Sequence, residues 1–351
     1  MAVRDKNLND KHLKIKGIVR KSNIELLRIV AMLMIILHHL VIKGADTCGY
    51  LTPYNISDGL LGEVINSLII SGVDLFILIS GYFGSRNITY NIIRLILDVA
   101  IYGLICFAVS MILGTSFSVK NLISSMSIFN NWFVLHFILL LMFSPILESA
   151  LSNIQIRTLR VWIILLTIVN VIFGWGKGVF NIDGYNVMNF IFIYMLGRYL
   201  KLERTVFLPQ LRKYPILIYL VSSAMVSCIF VVCYIFIDKH APATRIFGYN
   251  NPFIILSAMC LFCLFEKIKW QKKWINEVAK CVFPVFLLHT GISIQPIRNM
   301  FGHEIYAMFG YGGLFLLAVL IYVVCSLIAY PIEKVKSGLY ARIKIYVSSL
   351  V

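Results

Sequence analysis

Apolar runs of bilayer length recur along the 351 residues, and they leave few folds open. Crossing the hydrocarbon core takes roughly 17–25 predominantly apolar residues. Runs that reach or approach this length lie at 24–43, 63–83, 91–113, 131–149, 158–175, 186–200, 214–237, 252–266, 281–296 and 312–332. With no water in the bilayer, backbone polar groups must bond within the segment, so such runs fold as helices. A soluble domain of this length needs a far more polar surface than 14% charged residues and a mean hydropathy of +0.85 supply. The expected fold is all-α, a polytopic membrane helix bundle with about ten transmembrane helices, one per run.

The formal charge of +16 does not call for nucleic acid, because the cations are distributed by membrane side. Residues 1–22 and the links after the second, fourth, sixth and eighth runs, with the C-terminal segment and the adjoining run ends at Arg94, Arg160 and Arg198, hold 25 of the 32 Lys and Arg. The alternate links, with Lys43 at the end of the first run, hold six, and Arg28 lies inside the first run. That alternation is the positive-inside pattern. It predicts both termini in the cytoplasm of a multi-pass cell-membrane protein, with the excess charge facing anionic lipid. Residues 1–22 read as a basic cytoplasmic arm, 23–335 as one transmembrane domain, and 336–351 as a cytoplasmic tail. Cys260 and Cys263 form a CxxC, but within an apolar run they read as packing residues, and no metal is expected. Asn55-Ile56-Ser57 on the outer side matches a glycosylation tripeptide, a pattern of low specificity.

The first run carries residues that an anchor does not need. Ionisable groups at membrane depth are costly and mark function by default. Arg28 and His39 are eleven residues apart, which returns to within about 20° of the same helix face, some 16 Å along the axis. His38 points about 80° away, and Glu25 can pair with Arg28 at i, i+3. One face therefore holds a fixed cation near the inner end and a titratable base toward the outer end. The plainer reading of each alone is an arginine snorkelling to headgroups and a histidine at the interface.

Arg28 and His39 on a first span, followed by Gly72-Val73-Asp74-Leu75-Phe76 through Ser80-Gly81, then Asn131-Trp132-Phe133 with Ser144-Pro145, then Phe283-Pro284 through His289, resemble in order the membrane acyltransferase-3 family. The resemblance runs from about residue 23 to 335. It implies a polytopic enzyme moving an acyl group from acetyl-CoA, a co-substrate rather than a resident cofactor, to a hydroxyl of a cell-surface or lipid-linked saccharide. The chain keeps only Arg86 and Arg94 where the family has a denser arginine cluster, and Glu25 stands where many members have aspartate.

Acyl transfer to a hydroxyl needs a base and a stabiliser for the developing oxyanion. His39 is the expected base, since unperturbed imidazole titrates near neutrality. Arg28, with Arg86 or Arg94 and nearby lysines, is expected to hold the CoA arm. Asp74 either orders the histidine or is a buried hydrogen-bonding residue. Trp132, His136 and His289 are acceptor-site candidates, each with a packing role as the plainer reading. Asp98 pairs structurally with Arg94. The rival expectation is a transporter or lipid flippase whose solute path the same polar residues line.

Overall fold

The computed structural model describes residues 21–45, 56–177, 179, 181–203, 208–236 and 243–350, and every element in them is helical. Residues 1–20 of the arm, Cys48 and Asn55 of the glycosylation-type tripeptide lie outside the described residues. The first half contains α1 (Ser22–Lys43), α2 (Ile56–Ile69), α3 (Gly72–Phe83), α4 (Ile88–Ile112), α5 (Val119–Met126), α6 (Trp132–Asn153) and α7 (Ile156–Val169). α7 runs on into a π-helical turn, Asn170–Gly176. The second half contains α8 (Val187–Leu202), α9 (Leu208–Lys213), α10 (Pro215–Phe236), α11 (Ala243–Ile246), α12 (Pro252–Glu266), α13 (Lys273–Val278), α14 (Val282–Thr290) and α15 (Gln295–Leu350).

Among the described residues, seven helical segments are long and apolar enough to cross a membrane, with α12 a shorter apolar helix. The chain is a multi-pass membrane protein. Three of the ten runs correspond to shorter helices: α8 has 16 residues, α12 has 15 and α14 has nine. Their burial explains the difference. α14 is buried at Val282 and from Pro284 through His289, so protein surrounds it and it need not match the bilayer. The segment 336–350, expected as a tail, continues α15 as helix. α15 is bent at Gly310, where φ is +59°, separating a portion near the C-terminal end of α1 from the long apolar portion.

α1 is the central helix. Two-thirds of its apolar window (67%) is buried in protein, against 17% for the α7 segment, which faces outward. It packs on α2, α3, α12, α14 and α15. Its start is tied down by Ser22, whose N–H donates to Gln271 Oε1 (3.0 Å) and whose Oγ donates to the Lys272 carbonyl (3.1 Å). Its far end is fixed by close approach of backbones, with Gly302 of α15 against Gly44.

α3 and α8 pack through glycine. A Cβ on Gly81 would stand 2.0 Å from the Tyr194 carbonyl oxygen, and one on Gly197 would stand 2.2 Å from that of Leu78. Small residues at a helix crossing allow this backbone contact. At the basic end, Asp98 of α4 is buried between Lys336 Nζ (2.5 Å) and Tyr340 Oη (2.5 Å) of α15, with Arg94 Nε at 3.5 Å from its second oxygen. Glu333 completes the set, accepting from Tyr102 Oη (2.8 Å) and facing Lys336 (2.5 Å). The Gly81 contact has a direct test. Gly81→Ala must force the two helices apart, and overpacking costs about 1–3 kcal/mol. The purified variant should melt several degrees below wild type in the same detergent; an unchanged melting temperature would contradict the packing described.

Candidate active site

A cavity of about 910 Å³ opens at the basic end of the bundle. That is toward the upper end of the range for small-molecule sites. Its mouth carries Arg28, Arg86, Arg94, Lys280 and Lys334. Deeper in, the wall becomes apolar: Met32, Ile35, Phe76, Phe133, Phe137 and Phe286. Glu25, Arg28, Met32 and Ile35 follow one face of α1 at helical spacing, so a single helix face runs along the cavity from cation to apolar depth.

The cations differ in how they are compensated. Arg28 bonds Glu25 at 3.0 Å, Arg94 faces Asp98 and Glu333, and Lys280 bonds Glu277 at 2.7 Å. Arg86 and Lys334 are exposed and pair with no carboxylate among the described residues. These two are the mouth cations left to meet an incoming anion.

His39 is one turn beyond Ile35 on the same face and lies outside the cavity lining. Its Nδ1 is 3.2 Å from Nε2 of His289 on α14. His289 Nδ1 in turn lies 2.7 Å from the Val285 carbonyl oxygen. A carbonyl oxygen only accepts, so His289 Nδ1 carries the proton and its Nε2 is the acceptor. His39 Nδ1 must then donate. Neutral His39 is thereby fixed as the Nδ1–H tautomer, and its Nε2 keeps a lone pair. An orienting bond of this kind is what a general base requires. His38 is separate: it is buried, and its Nδ1 is 2.6 Å from Asn66 Oδ1 on α2.

The aromatic residues bridge cavity and histidines. Phe286 stacks edge-on with Phe133 (centroids 5.2 Å) and with His289 (5.9 Å). On α6, Trp132 lies against Tyr185 (4.5 Å), Tyr249 (5.6 Å) and His136 (6.4 Å). His136 Nδ1 donates to the Trp132 carbonyl at 2.7 Å, so the pair forms an aromatic cluster beside Phe133 rather than joining His39.

Asp74 is where the side-chain geometry departs from expectation. It is fully buried, both carboxylate oxygens are without a hydrogen bond, and the bond at His39 Nδ1 goes to His289 instead. The helix carrying it starts after a break at Ile70–Ser71, so Asp74 occupies the first turn of α3.

Spacing did not single out Lys334, Lys280 or Arg298. Arg298 is buried on α15, and its Nη1 donates to the His289 carbonyl at 2.9 Å. In the sequence it counts only as one cation of an outer link. The signal for it was the nine-residue interval from His289 across the Gly291 and Pro296 helix break.

A family model described as an acyltransferase domain covers residues 21–332. No curated protein and no solved structure matched the chain. With nearly the whole bundle inside that match, the chain belongs to the acyltransferase-3 family.

Proposed function

We propose that this chain is a cell-membrane O-acyltransferase of the bacterial kind, with cytoplasmic termini. It moves an acyl group, acetyl in the simplest case, from cytosolic acyl-CoA to a hydroxyl of a cell-surface or lipid-linked saccharide. The observation that carries the reading is the α1 face, which begins at Arg28 in a cation-rimmed cavity and ends at His39 with an oriented free nitrogen. CoA carries its phosphates at one end and a narrow pantetheine tether ending in the thiol at the other. The cavity offers that order of chemistry: Arg86 and Lys334, with Arg28 and Arg94, at the mouth, then an apolar throat lined by Phe133 and Phe286.

In this reading His39 Nε2 takes the proton of the acceptor hydroxyl as its oxygen attacks the thioester carbon. His289 holds the imidazole through Nδ1. Trp132 and His136 flank the acceptor side, and Asp74 supports the core beneath them without contacting the base. Arg28, bonded to Glu25 and only a third exposed, positions the donor arm at the throat.

One observation favours transport instead: α2 and α3 are halves of a broken helix with the unpartnered Asp74 at the start of the second half, as in many transporters. Acyl-CoA consumption by the purified protein separates the two, since a transporter consumes none.

Two outcomes are expected. His39→Ala should lower acyl transfer by about 10²–10⁴-fold, the range for loss of a general base, while the protein still inserts. His38→Ala should keep most activity and lower the melting temperature, because it loses a buried bond to Asn66. Equal activity loss at both positions would contradict the assignment of the base to the α1 face that carries Arg28.

The second concerns the mouth. A charge-assisted hydrogen bond is worth about 1.5–3 kcal/mol, roughly ten- to hundredfold in affinity. Arg86→Gln with Lys334→Gln should raise the donor KM by at least about tenfold, more at low salt, and leave the acceptor KM unchanged. Arg28→Lys should show a donor defect in the same direction, because the planar fork is lost. Unaltered donor titrations would return these residues to contact with lipid headgroups.

A further inference from the structure

Arg298 is buried to 8% exposure, in the first turn of a helix, where the macrodipole disfavours a cation. Buried cations are normally matched by a carboxylate. Among the described residues the other buried cation, Lys336, lies between Asp98 and Glu333. Arg298 pairs with no carboxylate among the described residues. Its Nε (3.2 Å) and Nη2 (2.9 Å) donate to Asn299 Oδ1, and Nη1 donates to the His289 carbonyl. That accounts for three of its five N–H bonds. It lies within electrostatic reach of His38, His39 and His289 together.

Among the described residues the local inventory is thus three imidazoles, one buried guanidinium with donors to spare and no carboxylate paired to it, with the exposed Lys43 ammonium also in reach of His39. A structural clamp on the His289 carbonyl would need one N–H and no charge; a neutral amide there would satisfy α14 at lower desolvation cost. The charge is accounted for if an anion forms here transiently.

We propose that Arg298 stabilises the oxyanion of the transfer step, an inference that rests on the acyltransferase reading above. As the acceptor oxygen bonds to the thioester carbon, its proton passes to His39 Nε2 and the carbonyl π pair moves onto the carbonyl oxygen. The spare Arg298 N–H bonds meet that oxygen; the net charge of the centre stays at one positive, now as guanidinium and imidazolium on either side of the oxyanion. When the carbonyl re-forms, the C–S bond breaks. The CoA thiolate leaves and takes the proton back from His39, releasing CoA thiol and the O-acyl saccharide. The Nη1 bond to the His289 carbonyl keeps the guanidinium in register with the histidine pair that carries the base.

Two CoA analogues separate the oxyanion role from a structural one. Acetonyl-CoA presents a neutral planar carbonyl; the corresponding methylphosphinate thioether presents a tetrahedral monoanion at the same place. Binding is measured on the full chain in lipid nanodiscs, with the melting temperature followed in parallel. Arg298→Gln should weaken the phosphinate by about 10²-fold, the size of a lost oxyanion donor, and leave acetonyl-CoA binding unchanged. Arg298→Lys should fall between. Turnover of acetyl-CoA in native membranes should drop in kcat by the same factor as phosphinate affinity, with the donor KM held. Equal weakening of both analogues, or neither, overturns the oxyanion role while leaving the acyltransferase reading intact. Failure of the wild-type chain to bind either analogue overturns both.

Discussion

Removing a charge or hydrogen-bonding group from water costs several kcal/mol unless a partner replaces the solvent. Most of this molecule lies where water is scarce, so that cost decides which polar side chains persist and beside what. At the basic end it is met by matched groups. Asp98 and Glu333 are held by Lys336, Arg94 and two tyrosines, and Glu266 by Arg212 and Tyr82. Arg198 faces Glu148, and Arg160 faces Glu203. These pairs join helices distant in sequence, and Arg94, Asp98 and Glu333 among them line the cavity. Their saturation also leaves Arg86 and Lys334 as the distinctive cations there.

Toward the far end of α1 the pattern changes. The polar groups are histidines that complete one another's hydrogen bonds, one buried arginine without a carboxylate, and one buried aspartate without a bond. A set of neutral imidazoles with a single uncompensated cation suits chemistry in which negative charge appears briefly. The aromatic bridge from Phe133 through Phe286 to His289 separates this polar set from the cavity. It places an apolar gate where a thioester would have to reach the base.

Periodicity in the sequence was enough to identify an all-helical membrane protein and to put Arg28 and His39 on one face of a central helix. It also paired Glu25 with Arg28 and Arg94 with Asp98, because partners three or four residues apart are fixed by helix geometry alone. What it missed is long-range. His289 meets His39 across 250 residues, and Lys336 meets Asp98 across 238. Helical spacing names a face but not the neighbour that covers it. The same limit applies to the runs behind α8, α12 and α14: hydropathy responds equally to a lipid-facing span and to a short helix buried in protein. Arg298 was hidden for a different reason, since a link residue was counted for topology before being considered as chemistry.

The central claim is directional: the donor enters at the cation-rimmed mouth and the acyl group leaves on an acceptor at the opposite face. The most direct measurement uses proteoliposomes in which the chain is reconstituted in one known orientation, with acetyl-labelled CoA confined to one side and a lipid-linked saccharide in the membrane. The account predicts labelled saccharide on the side bearing Lys177 when the donor meets the side bearing Lys272, and none with the donor reversed. Label appearing only in the reversed arrangement, or saccharide crossing the membrane with no thioester consumed, would contradict it.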